Sequence, residues 1–202
     1  MTKIYAGATM SLDGYISGPQ VTGFDRLFAW YEEGDVELPT LHEDMTHRVT
    51  PASAEVIRTT IERTGVFVIG RKLFDITNGW NGMHPYGTPF VVVTHSVPED
   101  WVAEHPGAPA TFVTEGIERA LDVAREIAGD KDIGVNAGTI ASQCLDLRVL
   151  DEVWLSLAPV VLGAGDPFFT GLEHAPFDLE GPLSIAPSGR VTHLRYRVRY
   201  AA

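Results

Sequence analysis

The chain has 202 residues, 45 % of them hydrophobic, and 27 acidic against 15 basic side chains give a formal net charge of −12. That balance excludes nucleic acid as the main partner, because phosphate neutralisation takes a basic face. No apolar run reaches the roughly 18 residues of a membrane-spanning helix, so no membrane partner is expected. The single Cys144 excludes an internal disulfide and fits the reducing cytoplasm.

In chain order, residues 3–9 read as a short strand, and SLDGYISGPQ, with Gly14, Gly18 and Pro19, as a turn-rich loop. Residues 19–49 carry little periodicity and read as an irregular insertion holding one short helix within FDRLFAWYEEGD. Thr50 is a natural N-cap with Pro51 at the first helical position, and Val56, Ile57 and Ile61 recur at helical spacing up to Gly65, a natural stop. VFVIG at 66–70 is β-branched and continuous, the pattern of a buried strand. RKLFDITNGW then makes a short helix broken at Asn78 and Gly79, and PFVVVTH at 89–95 and TFV at 111–113 make two more strands.

From Thr114 to Ala128 runs an amphipathic helix with a stripe of Ile117, Ala120, Leu121, Ala124, Ile127 and Ala128. DIGVN at 132–136 is a strand, GTIASQCLDLRVL a helix and turn, and DEVWLSLAPVVLG a long strand broken near Pro159. HLRYRVRY alternates Leu194, Tyr196, Val198 and Tyr200 with His193, Arg195, Arg197 and Arg199, which predicts a strand with one solvated face. The expectation is an α/β fold, one domain over 1–202. Its central sheet is mostly parallel, with helices on both faces and an antiparallel C-terminal edge.

Ligands of open α/β sheets sit at the carboxyl ends of the strands. Three turns fall there. Gly70-Arg71-Lys72 opens a helix after a buried strand and is either an anion site or a solvated helix start. Thr94-His95-Ser96 offers hydroxyls and an imidazole, or simply ends a strand. Asn136-Ala137-Gly138-Thr139 is a small-residue turn that admits a pyrophosphate, or only a tight connection; it is not the G-x-G-x-x-G fingerprint.

In SLDGYIS, VIGRKLFD, FVVVTHS, AGTIASQCL, VLDEVWLSLAPVVLGAGDPFF and the closing HLRYRVR, taken in order, the chain resembles the bacterial dihydrofolate reductase-like proteins. These are related to the reductase domain of riboflavin biosynthesis. The resemblance implies about eight mostly parallel strands, NADPH as cofactor and a homodimer. It implies Gly70, Arg71 and Lys72 at the adenosine phosphates, and Thr94, His95 and Ser96 at the adenosine ribose and its 2′-phosphate. Ala137, Gly138, Thr139 and Ile140 then cover the pyrophosphate and nicotinamide ribose, and Ala8 and Ile16 flank the nicotinamide. The family has two glycines where this chain has Ala137-Gly138, so a methyl bears on how closely a pyrophosphate approaches.

A nicotinamide reductase also needs a proton donor. Asp13 is the nearest carboxyl by sequence, with a turn-forming role before Gly14 as the other reading. Trp30, Trp80 and Tyr86 are candidates to stack on a flat heterocyclic substrate, with core packing as the alternative. The carboxylate context of true folate reductases and the H-x-E and C-x-x-C elements of zinc deaminases are absent, and no metal is expected. The leading function is an NADPH-dependent reductase of a small heterocycle or carbonyl, pterin- or pyrimidine-like substrates included. The alternatives are a nucleotide-binding module without efficient turnover and a flavin-binding protein using the same crevice.

Overall fold

The computed structural model describes residues 2–200. β1 (Ile4–Ser11) turns through Gly14 into β2 (Tyr15–Ser17). Residues 19–49 hold α1 (Phe24–Leu27), a 3₁₀ turn (Ala29–Glu32), and a hairpin of β3 (Val36–Pro39) and β4 (Thr46–Val49). That hairpin was not expected; four-residue strands are too short to print a period on the sequence. α2 (Pro51–Arg63) starts where the Thr50 hydroxyl accepts the Ser53 N–H, with Pro51 at the first helical position. β5 (Thr64–Gly70), α3 (Arg71–Thr77), a 3₁₀ segment (Asn78–Gly82), β6 (Phe90–Val93), α4 (Glu99–Glu104) and β7 (Ala110–Val113) follow. The chain continues through α5 (Ile117–Ala128), β8 (Asp132–Asn136), α6 (Thr139–Asp146) and β9 (Glu152–Ala158). It closes with β10 (Asp166–Pro167), β11 (Asp178–Ser188) and β12 (Val191–Arg199).

Gly65 does not end α2. It lies inside β5, where a Cβ would come within 2.8 Å of the Ala128 Cα, so the missing side chain lets β5 pass against the end of α5. α5 starts at Ile117 rather than Thr114, and Ile127 of its expected stripe is 38 % exposed.

Eight strands form one sheet in the order β11-β12-β9-β1-β8-β5-β6-β7. β9-β1-β8-β5-β6-β7 are parallel neighbours, and β12 pairs antiparallel with both β9 and β11. The antiparallel edge is therefore a two-strand ribbon with β11 outermost. β12, expected as the edge, lies one strand in. β11 went unread because Gly181, Pro182 and mixed polarity break any alternation.

Register assigns the two faces. Ala6, Val135 and Val68 lie across from one another and pack with α5 and α6 in the main core, joined by Leu121, Ala124, Ala141 and Cys144. On the opposite face, Ile69, Phe90 and Val92 pack against Phe74 of α3 and Trp101 of α4. Trp30, Leu38 and Val49 join Ala54 and Ile57 of α2 in a further cluster. Helices thus cover both faces, with α2 and Trp30 packed against Val191 and His193 of β12, but over β1 and β9 the second face is left open.

Candidate functional site

That opening is a cavity of about 1710 Å³ that continues over the carboxyl ends of β8, β5 and β6. Parallel pairing brings those three ends to one edge, and hydrogen bonds tie the turns together. The Gly70 N–H donates to Asn136 Oδ1 at 2.8 Å, and Asn136 Nδ2 donates to the Ala137 carbonyl at 2.6 Å. Arg71 Nη1 donates to Thr94 Oγ1 at 3.2 Å and to the Ser96 carbonyl at 2.9 Å, while its Nε donates to Asp75 at 2.7 Å. Lys72 Nζ reaches Asp166 at 2.6 Å, and the Ser17 hydroxyl donates to the same carboxylate.

Gly70, Arg71, Lys72, Thr94, His95, Ala137, Gly138, Thr139 and Ile140 all line this one cavity, with Ala8 and Ile16 beside them. Ser96 does not; it contributes through its carbonyl, which holds Arg71. Gly138 has φ +87, a conformation that favours glycine, and a Cβ built on it would meet open space. No side chain caps the starts of α3, α5 or α6. Their first-turn N–H groups, with the helix dipoles, therefore present partial positive charge toward the same rim. Gly116, at the start of α5, also lines the cavity and was not read from the sequence. The methyl of Ala137 causes no obstruction: the residue is 3 % exposed and packed into the main core, so the turn approaches a ligand by its backbone.

The inner end of the cavity is aromatic. Trp30, Trp80 and Tyr86 line it, as do Tyr31, His47, His84 and Trp154. Trp30 stacks on Tyr31 with centroids 3.9 Å apart, Tyr31 lies 4.2 Å from His47, and His47 Nδ1 shares a 2.6 Å hydrogen bond with the Tyr86 hydroxyl. Burial lowers the His84 imidazole to about 4 and raises the Tyr86 hydroxyl to about 12, so both are neutral at physiological pH.

The floor comes from three adjacent strands in register. Gly7, Trp154 and Arg195 form one row, and Thr9, Ser156 and His193 the next. The alternate face of β12, expected to be solvated, therefore supplies the floor: His193 is 5 % exposed, and Arg195 lies over the Trp154 ring at 4.4 Å. Beneath them Glu152 accepts from Trp154 Nε1 at 2.7 Å and Arg195 Nη2 at 2.6 Å, and also from Lys3. Although burial opposes its charge, the Lys3 and Arg195 hydrogen bonds hold its carboxyl down at about 2. Arg195 Nε is buried without a partner. None of these floor residues was singled out from the sequence. Their signal was the shared parity of Trp154-Ser156 and His193-Arg195, which only strand pairing turns into one surface.

Asp13 needs correction as a proton donor. It does not line the cavity. Its carboxylate accepts from the Ser11 hydroxyl at 2.6 Å and from the N–H groups of Leu162 and Gly163 at 3.1 and 2.7 Å, clasping the turn after β1 to the loop after β9. The Ser11 bond foremost, and then those N–H groups, hold it at about 2, so it carries no proton to give at neutral pH.

No family model matches the chain, and no curated protein is similar to it. Solved structures are. A protein assigned to riboflavin biosynthesis from Shewanella sp. PV-4 superposes with a TM-score of 0.69 at 19 % identity, over 98 % of this chain and 100 % of that one. A pyrimidine reductase-like protein from Corynebacterium diphtheriae gives 0.61 at 15 % identity, over 99 % and 93 % of the two chains. RibD of Acinetobacter baumannii gives 0.59 at 12 % identity, over 98 % of this chain and 58 % of that longer one. The chain has the fold these proteins share, the dihydrofolate reductase-like α/β fold.

Proposed function

We propose that the chain is an NADPH-dependent reductase acting on a small heterocyclic or carbonyl substrate, pterin- or pyrimidine-like compounds included. One observation carries this reading: three uncapped helix starts and the Arg71 and Lys72 cations meet along one rim of a cavity whose other end is aromatic. An elongated ligand, anionic along one part and flat at the other, matches that division. The fold neighbours named for pyrimidine reduction and riboflavin biosynthesis agree with it.

The residues fit NADPH. The N–H groups behind Gly138 receive the pyrophosphate, with Thr139 and Ile140 beside the nicotinamide ribose. Gly70, Arg71 and Lys72 serve the adenosine phosphates, and Arg71, Thr94 and His95, steadied by the Ser96 carbonyl, receive the 2′-phosphate. Lys72 has to exchange Asp166 for the ligand, and that exposed ion pair costs about 0–1 kcal/mol to open. Ala8, near the end of β1, and Ile16 of β2 flank the nicotinamide beside the floor. When bound, the reduced nicotinamide supplies a hydride; the chain's part is to orient it, to exclude water with the Trp30–Tyr31–Tyr86 wall, and to provide the proton.

A titration following NADPH fluorescence, then its oxidation with pterin, aminopyrimidine and quinone acceptors, tests the reading. Saturable binding with oxidation by at least one acceptor is expected. Binding without oxidation leaves the nucleotide-binding module, a yellow protein on purification points to flavin, and no binding removes the reading.

A further inference from the structure

The two rows of the floor carry no carboxyl, and Glu152 beside them is ionised at neutral pH. The floor does hold a line of hydrogen-bonded groups that leads out of the cavity. Ser156 Oγ lies 3.0 Å from His193 Nδ1, His193 Nε2 lies 2.8 Å from Ser53 Oγ, and Ser53 Oγ lies 2.6 Å from Ser188 Oγ, which in turn bonds the Thr50 hydroxyl. Ser156 and His193 line the cavity; Ser53, Ser188 and Thr50 do not. Ser53 and Ser188 are buried, and Thr50, at the start of α2, is partly exposed.

We propose that this chain of groups is a proton wire running from Thr50 to the cavity floor, with the Ser156 hydroxyl as the group that protonates the substrate. The proposal rests on the reductase reading. The geometry suits proton delivery. Ser156 pairs directly with Thr9, so its hydroxyl stands one strand spacing from the β1 end where the nicotinamide is assigned. The Trp30 indole stands edge-on to His193 with centroids 5.1 Å apart and shields the imidazole from bulk water. Burial also lowers His193 to about 4, which keeps it neutral, with one ring nitrogen to donate and the other to accept. Such an imidazole passes protons by exchanging tautomers without becoming a buried charge.

The transfer balances. A bound reduced nicotinamide would supply hydride to the carbon of a C=N or C=O group, and the π electron pair would move to the heteroatom. The heteroatom takes the Ser156 proton. Ser156 Oγ takes the proton from His193 Nδ1, His193 Nε2 takes one from Ser53, Ser53 from Ser188, Ser188 from Thr50, and solvent restores the last. This direction requires His193 to rest with its proton on Nδ1, donating to Ser156 and leaving the serine O–H free to point into the cavity. Ser156 is the catalytic residue; His193 and Ser53 are positioning residues that act through it.

Two measurements test the wire. Nitrogen-15 NMR of the ligand-free protein, labelled at histidine and assigned with His193→Gln, reads the tautomer. An Nδ1–H imidazole is expected; an Nε2–H imidazole turns the Ser156 hydroxyl toward the ring and overturns the proposal. The second uses the acceptor the wild type reduces fastest. Ser156→Ala should lower kcat ~100-fold, Ser53→Ala about tenfold with a larger solvent deuterium isotope effect, and Ser156→Thr should stay within a few-fold of wild type. NADPH affinity should be unchanged in all three, which also shows that each is folded. Unchanged kcat and isotope effect in both alanine variants overturns the wire and leaves the reductase standing. A wild type that binds NADPH but reduces no acceptor overturns both.

Discussion

Arg71 and Glu152 show two uses of charge in an acidic chain. Arg71 is half-buried at the rim, and its present partners are a hydroxyl, a carbonyl and the exposed Asp75. A phosphate dianion can replace such partners at small cost, and hydrogen bonds between charged groups contribute about 1.5–3 kcal/mol each. Arg71→Ala should therefore weaken NADPH by ~10–100-fold while NADH changes by only a few-fold, read by fluorescence titration of both. Equal losses would remove Arg71 from the 2′-phosphate. Glu152 is instead a buried anchor, 1 % exposed, that pairs with both Lys3 and Arg195 at the edge of the Trp154 indole. Glu152→Ala strands Arg195 and should lower stability by roughly 3 kcal/mol in thermal or urea unfolding. Its carboxyl sits at about 2 in the fold against an ordinary 4.5. The unfolded chain thus binds the proton first on acidification. The stabilisation is complete above the ordinary value and is lost as pH falls toward 2, ~3 kcal/mol in all. Glu152→Gln should flatten that acid limb of the stability profile.

The elements differ in how plainly they show in sequence, and the reason is the number of their constraints that are local. α2 was readable because Thr50 and Pro51 mark its start and its apolar residues repeat, and β5, β6 and β8 because strands buried on both faces are continuous apolar runs. The strand-end turns followed from them, so the residues that line this rim of the cavity were legible. The floor was not: His193 and Arg195 alternate with apolar residues just as a solvated face would, and only the pairing of β12 with β9 puts Trp154 and Glu152 against them. The β3–β4 hairpin was hidden for another reason, since its place depends on close backbone contact at Gly34. A Cβ there would fall 1.9 Å from the Val49 carbonyl carbon. Gly34→Ala should push the hairpin off α2, lower stability by about 1–3 kcal/mol, and disturb the near-ultraviolet circular dichroism of Trp30 and Tyr31. NADPH affinity should stay within a few-fold, because no rim residue belongs to that hairpin. A wild-type melting curve and spectrum would show that the insertion is not packed as described.

In the whole molecule, one sheet organises two chemistries. Its parallel half ends in glycine turns and uncapped helices that suit an anion, and its antiparallel border turns a polar face up as a floor beneath an aromatic wall of Trp30, Tyr31 and Tyr86. The parallel core was predictable from alternating strand and helix signals, whereas the meeting of the two halves depends on the strand order β12-β9-β1-β8, in which every neighbour is distant in sequence. A nucleotide laid along this edge would run from the start of α5, past Arg71, to Gly138 and the floor at Thr9 and Ser156. The most direct measurement is a crystal structure of the chain soaked with NADP⁺. Density with the pyrophosphate on the N–H groups after Gly138 and the 2′-phosphate beside Arg71 is the predicted result. A nucleotide bound away from those strand ends, or none at millimolar concentration, contradicts the account.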